Sequence, residues 1–426
     1  MSDAALSTFE RLFGPEFGHG KGFDLAVLRG ALAALGDPQA NLPPVIHVAG
    51  TNGKGSAIAF MREIAEAAGL TVHAFTKPHL FCLAERFLVA GEPVSDAALI
   101  EAAERVAHTA PGLTQFDAQA ASAFLLFSET PADLVLLETG MGGRDDSTNL
   151  IAAPAATVLA PIDLDHQDAL GATLAEITAH KAGILKRNTP AIVARQQPEV
   201  MELIETQAAG VGAPLFRSGV EWDAFASNGR LVVQTGTRVL DLPLPALVGE
   251  HQIDNAGLAC AALMRWRDLP DAAFAKGIAA ARWPARLQPL TRGPLSAPIR
   301  ALGGEVWVDC GHNAHAGAAL ARALQDMNRR TRRTTVAIIA LRARKDAAAF
   351  VAALARAVDH IIAVPLAEAY APAENIVQTS RPHTVSASAA CSLDTAMQDA
   401  SRFAAPRVLI CGSFLLAAEA LTLESD

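Results

Sequence analysis

Seven residues concentrate the chemistry of this chain: Gly50-Thr51-Asn52-Gly53-Lys54-Gly55-Ser56. Glycines spaced by small polar residues let a loop wrap backbone N–H groups around a phosphate chain. One lysine can then reach the outer phosphates. The spelling departs from the common phosphate-loop pattern, which has four residues between its glycines and a hydroxyl residue straight after the lysine. Here two residues separate Gly50 from Gly53, and Gly55 stands between Lys54 and Ser56. That weakens a generic kinase or GTPase reading but not the handling of a nucleoside triphosphate. A bound triphosphate brings a divalent cation, and Mg²⁺ takes oxygen ligands while keeping several waters. Ser56 offers a hydroxyl directly behind the loop. Glu138 and the run Asp163-Leu164-Asp165-His166-Gln167-Asp168 offer further donors. Each acid alone reads equally well as a solvated residue at a strand end. Their recurrence downstream of a phosphate loop raises the metal reading.

These groups need elements to hold them. Val45 to Ala49 reads as a buried strand running into the loop. Ile58, Met61, Ile64, Ala65 and Ala68 recur at helical spacing behind it. Strand, glycine loop and helix in that order place the helix N-terminus at the phosphates. Asp133 to Thr139, Thr157 to Ile162 and Ala191 to Ala194 are further buried strands. Alternating strand and helix patterns predict parallel α/β sheets, whose sites lie at the carboxyl ends of the strands. Glu138 and the Asp163–Asp168 run fall at such ends. Leu231-Val232-Val233-Gln234 and Arg238-Val239-Leu240-Asp241-Leu242, around Thr235-Gly236-Thr237, predict an antiparallel hairpin. A helix is expected from about Asp254 to Arg267. Trp283 to Pro298, with four prolines and Gly293, is the best domain junction. Beyond it Glu305–Asp309, Thr335–Leu341, His360–Val364 and Arg407–Cys411 predict a second set of strands.

Bulk properties agree. A chain of 426 residues, 51% hydrophobic and 19% charged, is a folded protein of two domains by default. It has no run of eighteen apolar residues, so no membrane span is expected. Met1 to Phe13 carries acidic residues and no long apolar core, unlike a secretory signal. The five scattered cysteines contain no Cys-x-x-Cys and suit reduced thiols in the cytoplasm. A net charge of −9 argues against nucleic-acid binding.

Further motifs run in one collinear order. They are Phe23-Asp24-Leu25, the glycine loop from His47 to Ser56, Pro78-His79-Leu80, Glu85-Arg86 and Met141-Gly142-Gly143-Arg144 with Asp146, Thr148 and Asn149. Asp165-His166, Leu170-Gly171, Lys181-Ala182-Gly183-Ile184 and His312-Asn313 follow. On these the chain resembles the folylpolyglutamate synthase/dihydrofolate synthase family, a branch of the Mur ligases. The resemblance spans essentially the whole chain. It implies an α/β protein with an N-terminal P-loop NTPase-like parallel-sheet domain and a smaller C-terminal Rossmann-like domain, divided as 1–288 and 289–426. The hairpin would form a small antiparallel region of the first.

The activity so implied is ATP-dependent amide ligation. A carboxylate of dihydropteroate or a folate attacks the γ-phosphate, and the amine of L-glutamate displaces phosphate from the acyl phosphate. The nucleotide would lie on residues 50–56, with Lys54 catalytic, Asn255 facing adenine, Arg286 reaching the triphosphate and Asp309 holding the ribose. His312, also catalytic, would sit near the γ-phosphate. The resemblance places Mg²⁺, at two sites, on Ser56, Glu138, His166 and a Lys181 carbamylated by CO₂. Without it His166 reads as a packed or hydrogen-bonded histidine, because imidazole is a poor match for Mg²⁺, and Lys181 as a surface helix lysine. Phe116, Arg144, Asp146 and Ser147 match positions lining the pterin site, where Phe116 could stack on the ring and Asp146 pair with its N–H groups. Closure of the second domain over the nucleotide and a monomeric, cytoplasmic protein with small-molecule substrates only are the remaining expectations.

The chain departs from the family pattern on the substrate side. The usual Thr-Ser-Pro-His is Thr76-Lys77-Pro78-His79, and a charged lysine cannot ligate a metal. Its ammonium would instead stand in electrostatically for one Mg²⁺. Leu80 to Ala84 is more apolar than usual, Phe-Glu is Phe116-Asp117, Gly-Gly-Arg-Leu-Asp-Ala is Gly142 to Ser147, and His-Asn-Pro is His312-Asn313-Ala314. An intact phosphate loop and Lys181 beside altered substrate segments also suit a Mur-type ligase for another acid, or an inactive nucleotide-binding relative.

Overall fold

The computed structural model describes residues 3–15, 25–367, 369–383 and 385–425. Phe23 and Asp24, which contribute to the resemblance, lie outside them. The chain forms two compact units, Met1–Ala246 with Ile253–Arg282, and Leu247–Gln252 with Trp283–Asp426. The division after Arg282 lies upstream of the expected 288/289, so residues 283–288 go with the second unit.

The first unit is built on eight strands: β1 (Val45–Ala49), β2 (Val72–Phe75), β3 (Phe87–Val89), β4 (Glu92–Pro93), β5 (Leu134–Glu138), β6 (Ala156–Leu159), β7 (Ala191–Val193) and β8 (Leu215–Arg217). Their order is β4-β3-β2-β5-β1-β6-β7-β8. From β2 to β8 every pairing is parallel; only β3 and β4 add an antiparallel edge. The central strands are buried along their whole length, as a parallel sheet covered on both faces requires. β1 lies between β5 and β6, so the loops after these three strands open at one place, the switch point of the sheet.

A separate antiparallel sheet, β9 (Trp222–Ser227), β10 (Arg230–Thr235) and β11 (Val239–Pro243), contains the expected hairpin, with Leu231 opposite Leu242. Its third strand, β9, is absent from the sequence reading, because only Trp222 and Ala224 of it are buried. The helix after it runs His251–Trp266, opening earlier than expected.

The second unit has strands β12 (Gln288–Leu290), β13 (Glu305–Val308), β14 (Thr335–Ile339), β15 (His360–Ala363), β16 (Ser386–Ala389) and β17 (Arg407–Cys411). They run β12-β13-β17-β14-β15-β16, parallel except for β12. Among the described residues no helix is long and apolar enough to cross a membrane.

Candidate active site

β1 ends at Ala49, and the loop from Gly50 turns directly into the helix Lys54–Ala67. Gly53 is the N-cap, at φ 87°, and no side chain caps the first turn. A Cβ on Gly53 would stand 2.4 Å from Asn255 Oδ1, so the loop packs against Asn255 and needs glycine there. The first-turn N–H groups are the donors an anion would meet. Not every loop N–H is turned to that use. Thr51 and Asn52 both donate to Pro161 O, at 2.8 and 3.3 Å. The Thr51 hydroxyl donates to Asp163 O and accepts from Asp163 N. This corrects the expectation of a loop lined throughout with inward N–H groups: its first half is tied to the segment after β6.

Two lysines converge on a single carbonyl. Lys54 Nζ donates to Gly50 O at 3.2 Å and Lys181 Nζ donates to the same atom at 2.8 Å. Lys181 is buried, so a helix-surface lysine is not what the fold presents. Lys54 also lies 3.7 Å from Glu138 Oε1. The other oxygen, Oε2, accepts the backbone N–H of Lys77 at 3.2 Å. Glu138 is 3% exposed at the end of β5. Ser56 is buried in the first turn of the loop helix. His166 follows β6 at φ 52°, with Nε2 4.0 Å from Asp165 Oδ2.

The motif around Arg144 is bound to the motif around Lys181. Arg144 N donates to His180 O, and the Asn149 amide bridges Arg144 O and Gly183 O. Lys186 Nζ donates to Asn149 Oδ1. The Arg144 side chain turns outward to Asp145. Ser147 Oγ donates to Asp117 Oδ1, and Asp117 with Thr114 forms the capping box of the helix Gln115–Glu129. Phe116 in that first turn stacks on Phe75, ring centroids 5.9 Å apart. Gly140 gives the ring its space, since a Cβ there would meet Phe116 Cζ at 2.2 Å.

Asp146 is turned inward. Oδ2 accepts Met141 N, and Oδ1 accepts both Thr148 N and Thr148 Oγ1. Pairing with a pterin would compete with these bonds. Burial raises its pKa, with the N–H and O–H donors and the charge of Lys77 opposing. The Thr148 proton is committed to Asp146, so His47 Nε2 must donate to Thr148 Oγ1, at 2.8 Å. His47 therefore carries its proton on Nε2. Burial, aided by Lys186, lowers its pKa to about 3. Sequence reasoning placed His47 in an apolar run and missed this relay; its only signal was a histidine in a fully buried strand.

The second unit gathers its own group. Asp309 follows β13 and accepts Leu287 N and Gly311 N. Burial raises its pKa, with Arg286 opposing most strongly. His312 Nδ1–H donates to Cys310 O at 2.9 Å. Arg286 contacts Cys310 Sγ and lies over the Phe414 ring, 5.6 Å away, which His312 also approaches. Ala285 and Leu287, on either side of Arg286, both hold left-handed backbone, φ 54° and 43°. Such strain in non-glycine residues persists only where surroundings enforce it. Here Ala285 N is held by Gln288 Oε1 and Leu287 N by Asp309.

Among the described residues no three His, Cys, Asp or Glu side chains are grouped to hold a metal by themselves. The donors at the loop are instead a hydroxyl and a carboxylate, Ser56 and Glu138. That set fits a hard cation completed by phosphate and water oxygens.

The chain matches the Mur ligase middle domain over residues 48–263 and the Mur ligase glutamate ligase domain over 298–414. It is 35% identical, over 93% of its length and 90% of the relative's, to the dihydrofolate synthase/folylpolyglutamate synthase of Escherichia coli strain K12. The fold is similar to that of E. coli FolC in complex with DHPP and ADP, with a TM-score of 0.87 and 31% identity over 99% of this chain and 97% of that one. It is similar also to the bifunctional folylpolyglutamate synthase/dihydrofolate synthase of Yersinia pestis complexed with AMPPNP and Mn ion, with a TM-score of 0.86 and 29% identity over 99% of each chain.

Proposed function

Because the chain belongs to the folylpolyglutamate synthase/dihydrofolate synthase family of Mur ligases, we propose that it joins L-glutamate to dihydropteroate, and to folates, using ATP. The observation that carries this is the meeting of Lys54 and Lys181 at Gly50 O. Two ammonium groups repel at that separation. The arrangement suits a site in which phosphate neutralises one lysine and a carbamate replaces the charge of the other. A simple phosphotransferase would have no use for the second.

The acid's carboxylate oxygen attacks the γ-phosphorus and ADP leaves. The glutamate nitrogen then attacks the acyl carbon, and the tetrahedral intermediate expels phosphate. Lys54 neutralises the phosphoryl oxygens as charge shifts on them. The first-turn N–H groups orient the phosphates, and Asn255 faces the adenine. Asp309 holds the ribose and Arg286 reaches the triphosphate. His312 has its Nδ1–H committed to Cys310 O, so its contact with the γ-phosphate has to come from Nε2. Bound Mg²⁺, at Ser56 and Glu138 and at a second site with His166 and carbamylated Lys181, would neutralise the transferred phosphoryl group. Phe116, Arg144, Asp146 and Ser147 border the pterin. The protein acts as a cytoplasmic monomer on small molecules, without nucleic-acid or membrane partners.

Phosphate release by the purified protein with ATP tests this. Dihydropteroate together with glutamate should stimulate it, and omission of either should return it to background. Stimulation by a different acid only would make the chain a Mur-type ligase for that acid, a reading favoured by Lys77 beside the ring of Phe116.

A further inference from the structure

Lys77 follows β2, whose register with β5 sets Phe75 against Leu137. The next residues of both strands therefore emerge side by side at the switch point. There the Lys77 backbone N–H holds Glu138 Oε2, while Lys54 approaches Oε1. One buried carboxylate thus joins the loop lysine to the segment carrying Lys77. The Lys77 ammonium is directed away along that segment and stands 4.4 Å from the centroid of the Phe116 ring. That ring has a fixed place: Phe75 stacks on it, and Gly140 leaves room only for it. The result is a cation between the phosphate loop and an aromatic platform. Formally Lys54, Lys77 and Glu138 sum to one positive charge before any metal binds. An acid lying on Phe116 with its carboxylate toward the phosphates has to pass this cation.

We propose that Lys77 is a specificity-determining residue whose ammonium holds the reacting carboxylate of the acid substrate, while Lys54 serves the γ-phosphate. This rests on the ligase reading above. A cation at this place both selects anionic acids over their neutral analogues and offsets the repulsion between carboxylate and triphosphate. Aromatic contact keeps the ammonium in position without neutralising it.

Lys77→Met keeps the stem that packs on Phe116 and removes the charge. It should raise KM for dihydropteroate by about 10- to 100-fold, the size of a lost hydrogen bond to a charged group. The affinity for AMPPNP should stay within about twofold of the parent's, the scatter expected where no phosphate contact is lost. Lys77→Arg should restore most of the KM. The parent should bind pteroic acid more tightly than its carboxamide, and Lys77→Met should lose that preference. An unchanged KM and an unchanged preference in Lys77→Met, with the parent active, would overturn the role of Lys77 alone. A parent with no phosphate release on dihydropteroate and glutamate would overturn the ligase reading and this role with it. Manganese bound with AMPPNP should be equal in the parent and Lys77→Ser. One additional ion per Lys77→Ser chain would assign Lys77 to the metal cluster instead and overturn the carboxylate role.

Discussion

Lys181 is a buried amine whose recorded partner is a backbone carbonyl, Gly50 O. Carbamylation suits that place, because a carbamate keeps one N–H for the carbonyl and adds oxygens for a metal. In ¹³C-bicarbonate the protein should show a carbamate resonance that disappears in Lys181→Arg. That variant should also lose at least about 100-fold in glutamate-dependent turnover, as loss of a group that stabilises the transferred phosphoryl implies. A resonance that persists in Lys181→Arg would place the modification elsewhere. Glu138 sits between Lys54 and the Lys77 N–H. Its neighbours are thus cationic or N–H donors, which suits an ionised ligand.

β1 carries the loop at one end and His47 in its interior. His47 connects the strand to the substrate-side segment through Thr148 and Asp146, with both ends of the relay buried. Its pKa of about 3 gives a definite pH signature. Above the unfolded value near 6.5 the histidine is neutral in both states. As pH falls below that, the unfolded chain takes up a proton that the native protein refuses, so stability is lost on acidification at about 1.4 kcal/mol per pH unit from this group. The loss continues until pH approaches 3. His47→Gln should be less stable at pH 7, through its altered bond to Thr148. Its urea midpoint should also fall less steeply than the parent's between pH 6.5 and 4.5. Equal slopes would show that His47 is not the group refusing the proton. A contrasting element is the turn at Arg286. Its flanking residues Ala285 and Leu287 are buried and left-handed. Proline and glycine density marked this junction in the sequence, but nothing local announces left-handed alanine and leucine. Their conformation is imposed by Asp309 and Gln288, which join from other elements.

For the whole molecule, stability is linked to the nucleotide. A ligand at one hundred times its Kd adds about 2.7 kcal/mol to the free energy of unfolding if it binds only the native state. Thermal scans with AMPPNP and Mg²⁺ should therefore show a higher midpoint, and Lys54→Met should remove most of the gain. A midpoint that ignores the nucleotide would count against the triphosphate site itself. The chain crosses between its two units at Ala246/Leu247, Gln252/Ile253 and Arg282/Trp283. The last crossing lies at the start of the proline-rich stretch that composition marks. The earlier ones fall in and just before the helix His251–Trp266 and leave no trace in the sequence. The sequence by itself determined the strand–loop–helix at Val45–Ala67, the parallel α/β class, the hairpin and the family, because hydrophobic periodicity and glycine spacing are local properties. Only the tertiary structure decided that Lys54 and Lys181, far apart in the chain, share Gly50 O. The same holds for Asp146 turning inward to Met141 and Thr148, for the first loop N–H groups being taken by Pro161, and for Lys77 standing over Phe116. Each of these is a long-range or side-chain pairing set by strand order at the switch point. Periodicity shows which face of a strand is buried but carries no information on which neighbour it meets.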